Sequence, residues 1–475
     1  MLTPTLTVRT DSTTLDDSLV ESFRGRFQGE IVRPSDAGYD DARAVWNAMI
    51  DKHPALVARC RSSDDVVEAV NFARDNGLLV SVRGSGHNVA GTAVVEGGLM
   101  IDLSLMKDIH VDLEKGTATA QPGVLFGEMD RATQPYGLAV PGGIVSQTGI
   151  AGLTLGGGFG WLTRKYGFTC DNLISAEVVT ADGRLLTANA DEHPDLFWGI
   201  RGGGGNFGVV TSFEYRLQPV GPEVLAGLLL YPLDAAAEAL RFFRDFTAST
   251  PNELGAMAVF RLAPPLPSIP KELHGTPVLA IIVCYVGDVE EGKRVVQPLR
   301  SFRTPLVDGI KPQPFTAHNS SLDPGQPAGM RYYWKSEYVT EIADDAIETL
   351  VAFAADMTSP YSRLAVFQLG GAAQRLDEQA MAASHRGAEF IFAINTGWAD
   401  AQNNENQIQW TRDLWTAIRP FSSGGAYVNF LSADDGEDRV RAAYGATKFE
   451  RLAQLKNRYD PENLFQMNKN IRPTL

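Results

Sequence analysis

Residues 83–91 read RGSGHNVAG and place one histidine, His87, inside a glycine-rich loop. Glycine adopts positive φ at low cost, so a loop of this kind lets backbone N–H groups close around a phosphate. Two interpretations of His87 follow. It is either a loop histidine hydrogen-bonded to nearby backbone, or a side chain that acts on the ligand held by the loop.

Three more glycine segments follow, at residues 141–167, 180–183 and 201–210. Each adjoins a predicted strand, and their clustering favours a ligand site over ordinary turns. None matches a strand–GxGxxG–helix pattern with a following acidic ribose ligand, and the chain contains no GxxxxGK[ST] motif. A Rossmann dinucleotide site and a P-loop are therefore both disfavoured.

The sequence around these loops predicts an α+β unit. Residues 62–77 begin with Ser, continue with apolar residues at helical spacing and end at glycine, which predicts a helix. Strands are predicted over 78–84, 97–106 and 208–217, and a hairpin over 173–188. The loop that contains His87 is therefore entered from a strand that follows a helix.

Beyond residue 222 the pattern changes to long amphipathic helices and long apolar strands. Helices are predicted over 233–249 and 343–359, and strands over 276–286, 330–339, 364–371 and 388–398. This order predicts a second α+β domain, an antiparallel sheet backed by helices.

The composition restricts the class of protein. The chain has 475 residues, 44% of them hydrophobic, which is enough for more than one domain. Its formal net charge of −15 disfavours nucleic acid and anionic lipid as partners. The start has no signal-peptide pattern and no apolar run is long enough to span a bilayer, so we expect a soluble, cytoplasmic protein.

Metal and disulfide chemistry are not indicated. Cys60, Cys170 and Cys284 are odd in number and far apart, which fits neither a disulfide framework nor a zinc site. The seven histidines show no HxxxH or HExxH spacing, so we predict no metal site. Cys170 is expected to be a buried apolar residue.

Several longer motifs resemble those of one family. They are VSVRGSGHNVAG, IDLS, QPGV, GLTLGGGFGWLTRKYGFTCDN, DLFWGIRGGGGNFGVVTSFEY and, near the C-terminus, YDPENLF followed by NKNI. In this order they are similar to the berberine-bridge-enzyme-like FAD oxidases, a branch of the vanillyl-alcohol-oxidase/p-cresol-methylhydroxylase (PCMH) superfamily. The resemblance implies a PCMH-type FAD-binding domain over 45–220, a substrate-binding domain over 221–420, and a segment over 421–475 that returns to the FAD domain.

The resemblance also implies which residues hold the cofactor. In the family, the histidine at the position of His87 is bonded covalently to the 8α-methyl group of FAD. The backbone around Gly84 and Gly86 is expected to hold the diphosphate. The implied cofactor-binding set is His87, Arg83, Gly84, Ser85, Gly86, Asn88, Gly142, Gly143, Thr148, Gly149, Gly152, Gly156, Gly157, Gly160, Val209, Asn429 and Asn468.

Two positions near residue 145 bear on the flavin chemistry that the resemblance implies. Some family members attach the flavin a second time through a cysteine, where this chain has Val145. Valine cannot form the thioether, so we predict a single link, through His87. Three residues later, where other members have a Val or Leu that admits or blocks O₂, this chain has Thr148. Its shape is close to that of valine, which favours access of O₂.

The family chemistry uses a base that takes a proton from a substrate O–H or N–H. Tyr427, in GGAYVNF, matches a family strand near the flavin, whereas Phe430 stands where several members have tyrosine. In RYYWKSEYV, residues 331–339, alternation places Tyr333 and Lys335 on one strand face. We expect a lysine desolvated beside a flavin to have a lowered pKa, which suits proton abstraction. The alternative for all three side chains is a packing role.

Together these features predict an FAD-dependent oxidase that transfers a hydride from a small alcohol, phenolic or amine substrate to the flavin and reduces O₂ to H₂O₂. Three alternatives remain. They are a dehydrogenase of the same fold with another electron acceptor, an NADPH-dependent flavin reductase, and a non-catalytic flavin-binding protein. The sequence indicates neither the substrate nor the oligomeric state.

Overall fold

The computed structural model describes residues 15–265, 267 and 269–474. The helix predicted over 62–77 spans Ser63–Asp75. Ser62 caps it by accepting a hydrogen bond from the Asp65 N–H, and Gly77, at φ +62°, turns the chain toward the next strand. That strand, Val80–Arg83, ends at the loop that contains His87, as predicted.

Two sheets form the N-terminal unit. The first contains, in spatial order, Glu30–Val32, Leu56–Arg59, Leu99–Asp102 and Val80–Arg83, with the first pair antiparallel and the other pairs parallel. The second is antiparallel, in the order Ile109–Asp112, Thr117–Ala120, Val209–Arg216, Leu173–Val179 and Leu185–Asn189. The hairpin predicted over 173–188 is confirmed. Val66 and Val70 of the helix share one core with residues of both sheets, Leu99 and Val209.

Short helices and one strand pair connect these sheets. Leu138–Ala139 pairs with Gln218–Pro219. The helices of this unit are Asp17–Arg24, Tyr39–Arg43, Ser63–Asp75, Phe126–Thr133, Ile150–Leu155, Thr163–Tyr166 and Pro194–Ile200.

The second unit is built on one eight-stranded antiparallel sheet. Its spatial order is Val307–Asp308, Glu223–Pro232, Pro277–Tyr285, Leu254–Leu262, Arg363–Gln368, Phe390–Trp398 and Arg331–Val339, and Lys311–Pro314 also pairs with Glu223–Pro232. The helices of this unit are Ala236–Thr247, Val289–Ser301, Phe315–Ser320, Asp344–Ala355 and Asn404–Ile418.

The two faces of the large sheet have different partners. On one face Leu364 and Phe392 pack under helix residues such as Leu240 and Leu350. On the other face Ala365 and other apolar side chains join the core of the N-terminal unit. The prediction of an antiparallel sheet backed by helices is therefore confirmed, and the face without helices is turned toward the N-terminal unit.

The C-terminal segment returns to the N-terminal unit through the helices Glu437–Tyr444 and Ala446–Tyr459. Lys456 is fully buried there and bonds Asp460 at 2.6 Å and the Asn206 carbonyl at 2.9 Å. Residues 424–430, expected to form a strand, instead form a loop and a 3₁₀ turn, Val428–Phe430. Gly424 and Gly425 have φ of +91° and +85°, which strand geometry does not allow.

Candidate active site

One large cavity lies where the N-terminal unit, the open face of the large sheet and the C-terminal segment meet. Its volume is about 300 Å³. The predicted cofactor-binding residues that line it are Gly84, Ser85, Gly86, His87, Asn88, Gly143, Thr148, Gly149, Gly152, Val209, Asn429 and Asn468. Segments that are far apart in the sequence therefore meet at one site.

The loop that contains His87 is held from behind by Arg83. The Arg83 guanidinium pairs with Asp102, with Nη2 2.6 Å and Nε 2.9 Å from its carboxylate oxygens. Its Nη1 donates to the Ala44 carbonyl at 2.9 Å. Arg83 is not among the described residues that line the cavity. Its side chain therefore positions the loop, and its direct contact with the cofactor stays a prediction.

Two glycine segments are joined at Ser85. The Ser85 hydroxyl accepts a hydrogen bond from the Gly149 N–H at 3.0 Å. A Cβ at Gly149 would lie only 2.5 Å from that oxygen, so glycine is required by the close approach of the two segments. Gly86, at φ +75°, then turns the chain into His87.

His87 lies in the cavity wall with one ring nitrogen unpartnered. Its ring stacks on Trp46 at a centroid distance of 4.4 Å, and Trp46 stacks in turn on Tyr332 of the large sheet at 3.7 Å. The Nε2 atom of His87 is buried and has no hydrogen-bond partner. Burial lowers the pKa of His87 to about 4, so the imidazole is neutral at pH 7. A neutral imidazole with a free nitrogen is a nucleophile.

Four of the predicted cofactor-binding glycines pack behind the wall. Gly142, Gly156, Gly157 and Gly160 are not among the described lining residues. A Cβ on Gly160 would lie 2.2 Å from the Gly142 carbonyl oxygen, and one on Gly156 would lie 2.3 Å from Asn429 Oδ1. Glycine at 156 and 160 therefore allows chain segments to approach each other, and the position of the four glycines along the flavin stays a prediction.

Tyr427 lies in the cavity wall, and its hydroxyl oxygen is held by two donors. The oxygen accepts hydrogen bonds from the Gly158 N–H at 3.2 Å and from Asn429 Nδ2 at 2.9 Å. Burial raises the pKa of Tyr427 above its usual range, and the two hydrogen bonds act in the opposite direction. Two donors on one phenolic oxygen would stabilise a phenolate.

Lys335 and Tyr333 lie on the other face of their strand. Lys335 Nζ is 2.8 Å from Asp435 and 3.1 Å from Asp434, and the Tyr333 hydroxyl donates to Asp434 at 2.7 Å. Neither side chain is among the described residues that line the cavity. Burial alone would lower the pKa of Lys335, but the Asp435 carboxylate outweighs it and the net shift is upward. The expected lowering of this pKa is therefore wrong, because two carboxylates neutralise the buried ammonium.

The strand Arg331–Val339 instead points Trp334 at the cavity. Both of its faces are buried, because one packs under the helices and the other toward the N-terminal unit. Asn395 on the adjacent strand and Phe367 on the strand beyond it complete this wall, and Lys469 is contributed by the C-terminal segment. The alternation of residues along the strand could have identified Trp334 as a lining residue of the cavity. No local sequence pattern identifies Asn395 or Lys469 as one.

The lining suits an anionic, flat cofactor such as FAD. None of the described lining residues is Asp or Glu, although the whole chain carries a net charge of −15. Lys469 supplies one positive charge, and burial lowers its pKa to about 8. The glycine loop 84–86 and the unpartnered Nε2 of His87 complete a cradle that fits a dinucleotide with an attachable ring system.

Two family models match this chain. Residues 54–189 match the FAD binding domain family, and residues 426–472 match the family described as berberine and berberine like. The (R)-6-hydroxynicotine oxidase of Paenarthrobacter nicotinovorans is 32% identical, over 94% of this chain and 97% of that enzyme. The chain belongs to the berberine-bridge-enzyme-like family of FAD-linked oxidoreductases.

Solved structures of this family share the fold. The crystal structure of 6-hydroxy-D-nicotine oxidase from Arthrobacter nicotinovorans matches with a TM-score of 0.84 at 29% identity, covering 94% of this chain and 98% of that one. The glucooligosaccharide oxidase of Acremonium strictum, at 22% identity over 96% of this chain and 99% of that one, has a TM-score of 0.85. The PCMH-type fold of this berberine-bridge-enzyme-like oxidoreductase is thereby confirmed.

Neither a metal-binding cluster nor a membrane-spanning helix is present among the described residues. Between residues 15 and 474, without 266 and 268, no group of three or more His, Cys, Asp or Glu side chains is placed to hold a metal ion. In the same part of the chain no helix has the length and apolar character needed to cross a membrane. Cys170 is fully buried beside Met381, as expected.

Proposed function

We propose that this protein is an FAD-dependent oxidase that holds its flavin covalently through His87 alone. The observation that carries the proposal is the neutral, buried imidazole of His87, whose Nε2 has no partner in the wall of a glycine-lined cavity. When bound, FAD accepts two electrons from the substrate and passes them to O₂, which gives H₂O₂. The substrate class is a small organic alcohol, phenolic compound or amine.

A single covalent link is supported by the position of the cysteines. The glucooligosaccharide oxidase of Acremonium strictum carries a 6-S-cysteinyl, 8α-N1-histidyl FAD. Here Val145 lines the cavity, and none of Cys60, Cys170 and Cys284 is among the described lining residues. With no cysteine among the described lining residues, the lining supports a single attachment, through His87.

Tyr427 is the proposed catalytic base. It is in the cavity wall, and its oxygen is held by the Gly158 N–H and the Asn429 amide. These donors stabilise the phenolate that accepts a proton from the substrate O–H or N–H. The same two donors fix the phenol so that its orientation does not depend on the substrate.

Oxygen is the proposed electron acceptor. Thr148 lines the cavity with a side chain of about the size of valine, which leaves a path to the flavin. Steady production of H₂O₂ in air with a substrate that bleaches the flavin would support an oxidase. A reduced flavin that persists in air and is reoxidised only by an artificial acceptor would instead indicate a dehydrogenase.

The covalent link is tested by denaturation in acid. The precipitated wild-type protein is expected to stay yellow after washing, because the bond survives loss of the fold. His87→Ala is expected to give a colourless pellet even when it is loaded with FAD before precipitation. A colourless pellet from fully loaded wild-type protein would overturn the proposal.

A further inference from the structure

A row of four polar and aromatic side chains crosses the large sheet on its cavity face. Trp334 lies opposite Asn395, and Asn395 lies opposite Arg363. On the next strand, Phe260 lies opposite Leu364. The same antiparallel register, extended by one residue, places Arg261 opposite Arg363. Directly opposed residues on antiparallel strands point to the same face. Because Trp334 and Asn395 line the cavity, both arginines lie on the cavity face of the sheet.

Arg363 is a buried cation without an anion. Only 8% of the residue is exposed, and its Nη2 has no hydrogen-bond partner. In the part of the chain that the structure describes, no carboxylate lies within ion-pair distance of Arg363 or Arg261. Burial, and then the charge of Arg261, lower the pKa of Arg363 to about 9. An unpaired buried charge is costly, so a chain that retains one needs a compensating ligand.

The free donors are next to the cavity wall. The Arg363 guanidinium lies directly against Gly325, since a Cβ there would be 1.7 Å from Nη2. The next residue, Gln326, lines the cavity. Asn395, which is opposite Arg363 and in the same wall, also has a buried Nδ2 without a partner. One orphaned donor, Asn395 Nδ2, is therefore in the cavity wall, and the other, Arg363 Nη2, lies behind that wall, next to Asn395 and Gly325.

We propose that the substrate carries a carboxylate, bound by Arg363 and Asn395 with Arg261 as a second positive charge. The proposal rests on the proposed oxidase function and narrows its substrate class to organic acids. A planar guanidinium binds a carboxylate through two parallel hydrogen bonds, and an amide N–H adds a third. The ion pair also removes the cost of the unpaired arginine.

The other lining residues restrict the carbon skeleton that the proposed acid can have. Trp334 lies opposite Asn395, Phe367 lies further along the same wall opposite Ile391, and both offer flat apolar surfaces. Tyr427, the proposed base, lies in the same cavity. An aromatic or otherwise flat acid with an alcohol or amine function fits this arrangement.

The test uses benzoate and its neutral analogue benzamide as probes, titrated calorimetrically into the FAD-loaded protein. Wild-type protein is expected to bind benzoate at least about tenfold more tightly than benzamide, since charge-assisted hydrogen bonds supply that difference. Arg363→Met is expected to remove the preference, and Arg363→Lys to retain part of it. Heat of binding does not depend on turnover, so the result is separate from any failure of the oxidase proposal.

Arg331→Met is the matched control. Arg331 is on the same sheet but on the opposite face, where its Nε donates to Asn404 at 2.7 Å. Its replacement is expected to leave the affinity for benzoate unchanged. Equal affinities of benzoate and benzamide for the wild type, or an equal loss in Arg331→Met, would overturn the proposal.

Thermal unfolding separates a ligand site from a structural arginine. Without a ligand, Arg363→Met is expected to melt at the wild-type temperature or above it, because an uncompensated charge is removed. Benzoate is expected to raise the Tm of the wild type and not that of Arg363→Met. A large fall in the Tm of Arg363→Met, with benzoate affinity unchanged, would show a structural role and contradict the proposal.

Discussion

At the scale of single residues, the phenol of Tyr427 is the proposed catalytic base. Tyr427→Phe keeps the ring and its packing against Phe159 but removes the proton acceptor. We expect the rate of flavin reduction to fall by about 10²- to 10⁴-fold, the usual contribution of a positioned base. This rate is measured by anaerobic stopped-flow bleaching with any substrate that reduces the wild-type flavin. An unchanged rate in Tyr427→Phe would show that Tyr427 is not the base.

The pKa of Tyr427 also predicts a pH profile. Burial raises this pKa above the ordinary tyrosine value of about 10, so the base is protonated at neutral pH. The rate of flavin reduction is therefore expected to rise with pH and to reach no plateau below about pH 10. Asn429→Ala removes one donor that lowers the pKa, so its profile is expected to shift further to alkaline pH. A plateau near pH 7 in the wild type would contradict this.

The sequence predicted the residues that carry a local signal and missed those that depend on tertiary contacts. His87 and Asn468 were found through the motifs in which they lie, and both line the cavity. Alternation correctly separated Lys335 from Trp334, but it does not tell which face meets the cofactor. Asp434 and Asp435, which neutralise Lys335, lie about 100 residues away.

At the scale of elements, the contact between the two glycine segments decides the shape of the cofactor cradle. Gly149→Ala places a Cβ 2.5 Å from Ser85 Oγ and forces the segments apart. We expect this variant to purify with a lower ratio of flavin to protein than the wild type, measured by absorbance. Gly38→Ala is the control, because a Cβ at Gly38 has no neighbour within 4 Å. Full flavin content in Gly149→Ala would show that the cradle tolerates the shift.

The ion cluster on the helix side of the strand Arg331–Val339 is expected to stabilise the fold. Lys335→Met leaves Asp435, whose side chain is 2% exposed, without its cation. The expected loss is about 3 kcal/mol of unfolding free energy, at the low end for a broken buried pair because Asp434 is 38% exposed. Denaturant unfolding measures it. If Lys335→Met unfolds like the wild type but abolishes flavin reduction, Lys335 has the catalytic role instead.

The same cluster gives the stability a pH dependence. Burial alone would raise the pKa of Asp434, but hydrogen bonds from Arg412 and Tyr333 and the charge of Lys335 lower it to about 2. A carboxyl with a depressed pKa stabilises the fold above its unfolded pKa of about 3.9, and this contribution is lost as the pH falls toward 2.

Among the elements, those with strong periodicity, such as the helix Ser63–Asp75, could be predicted from the sequence. The loop at 424–430 could not, because it follows from the positive φ of Gly424 and Gly425.

At the scale of the whole molecule, the site exists only because the two units meet. The stack of Trp46, His87 and Tyr332 crosses that boundary, because Tyr332 belongs to the large sheet and the other two residues belong to the N-terminal unit. The sequence predicted each unit from its own pattern. Their relative placement depends on contacts between distant segments, which no local pattern encodes.

The proposed access of O₂ depends on this shared cavity, through Thr148 in its wall. Thr148→Leu adds bulk to the wall, so we expect slower reoxidation of the reduced flavin by O₂ with little change in its reduction by substrate. Thr148→Val keeps the side-chain volume and serves as the control. If both variants reoxidise at the wild-type rate, Thr148 does not control the path of O₂.

The covalent bond between His87 and FAD is the central claim, and peptide mass spectrometry tests it most directly. After proteolysis of the FAD-loaded protein, the peptide that contains His87 is expected to carry the mass of one FAD, with the fragment ions assigning it to the histidine. Peptides that contain Val145 or any of the three cysteines are expected to be unmodified. A His87 peptide of unmodified mass, recovered from protein that contains stoichiometric flavin, would contradict the account.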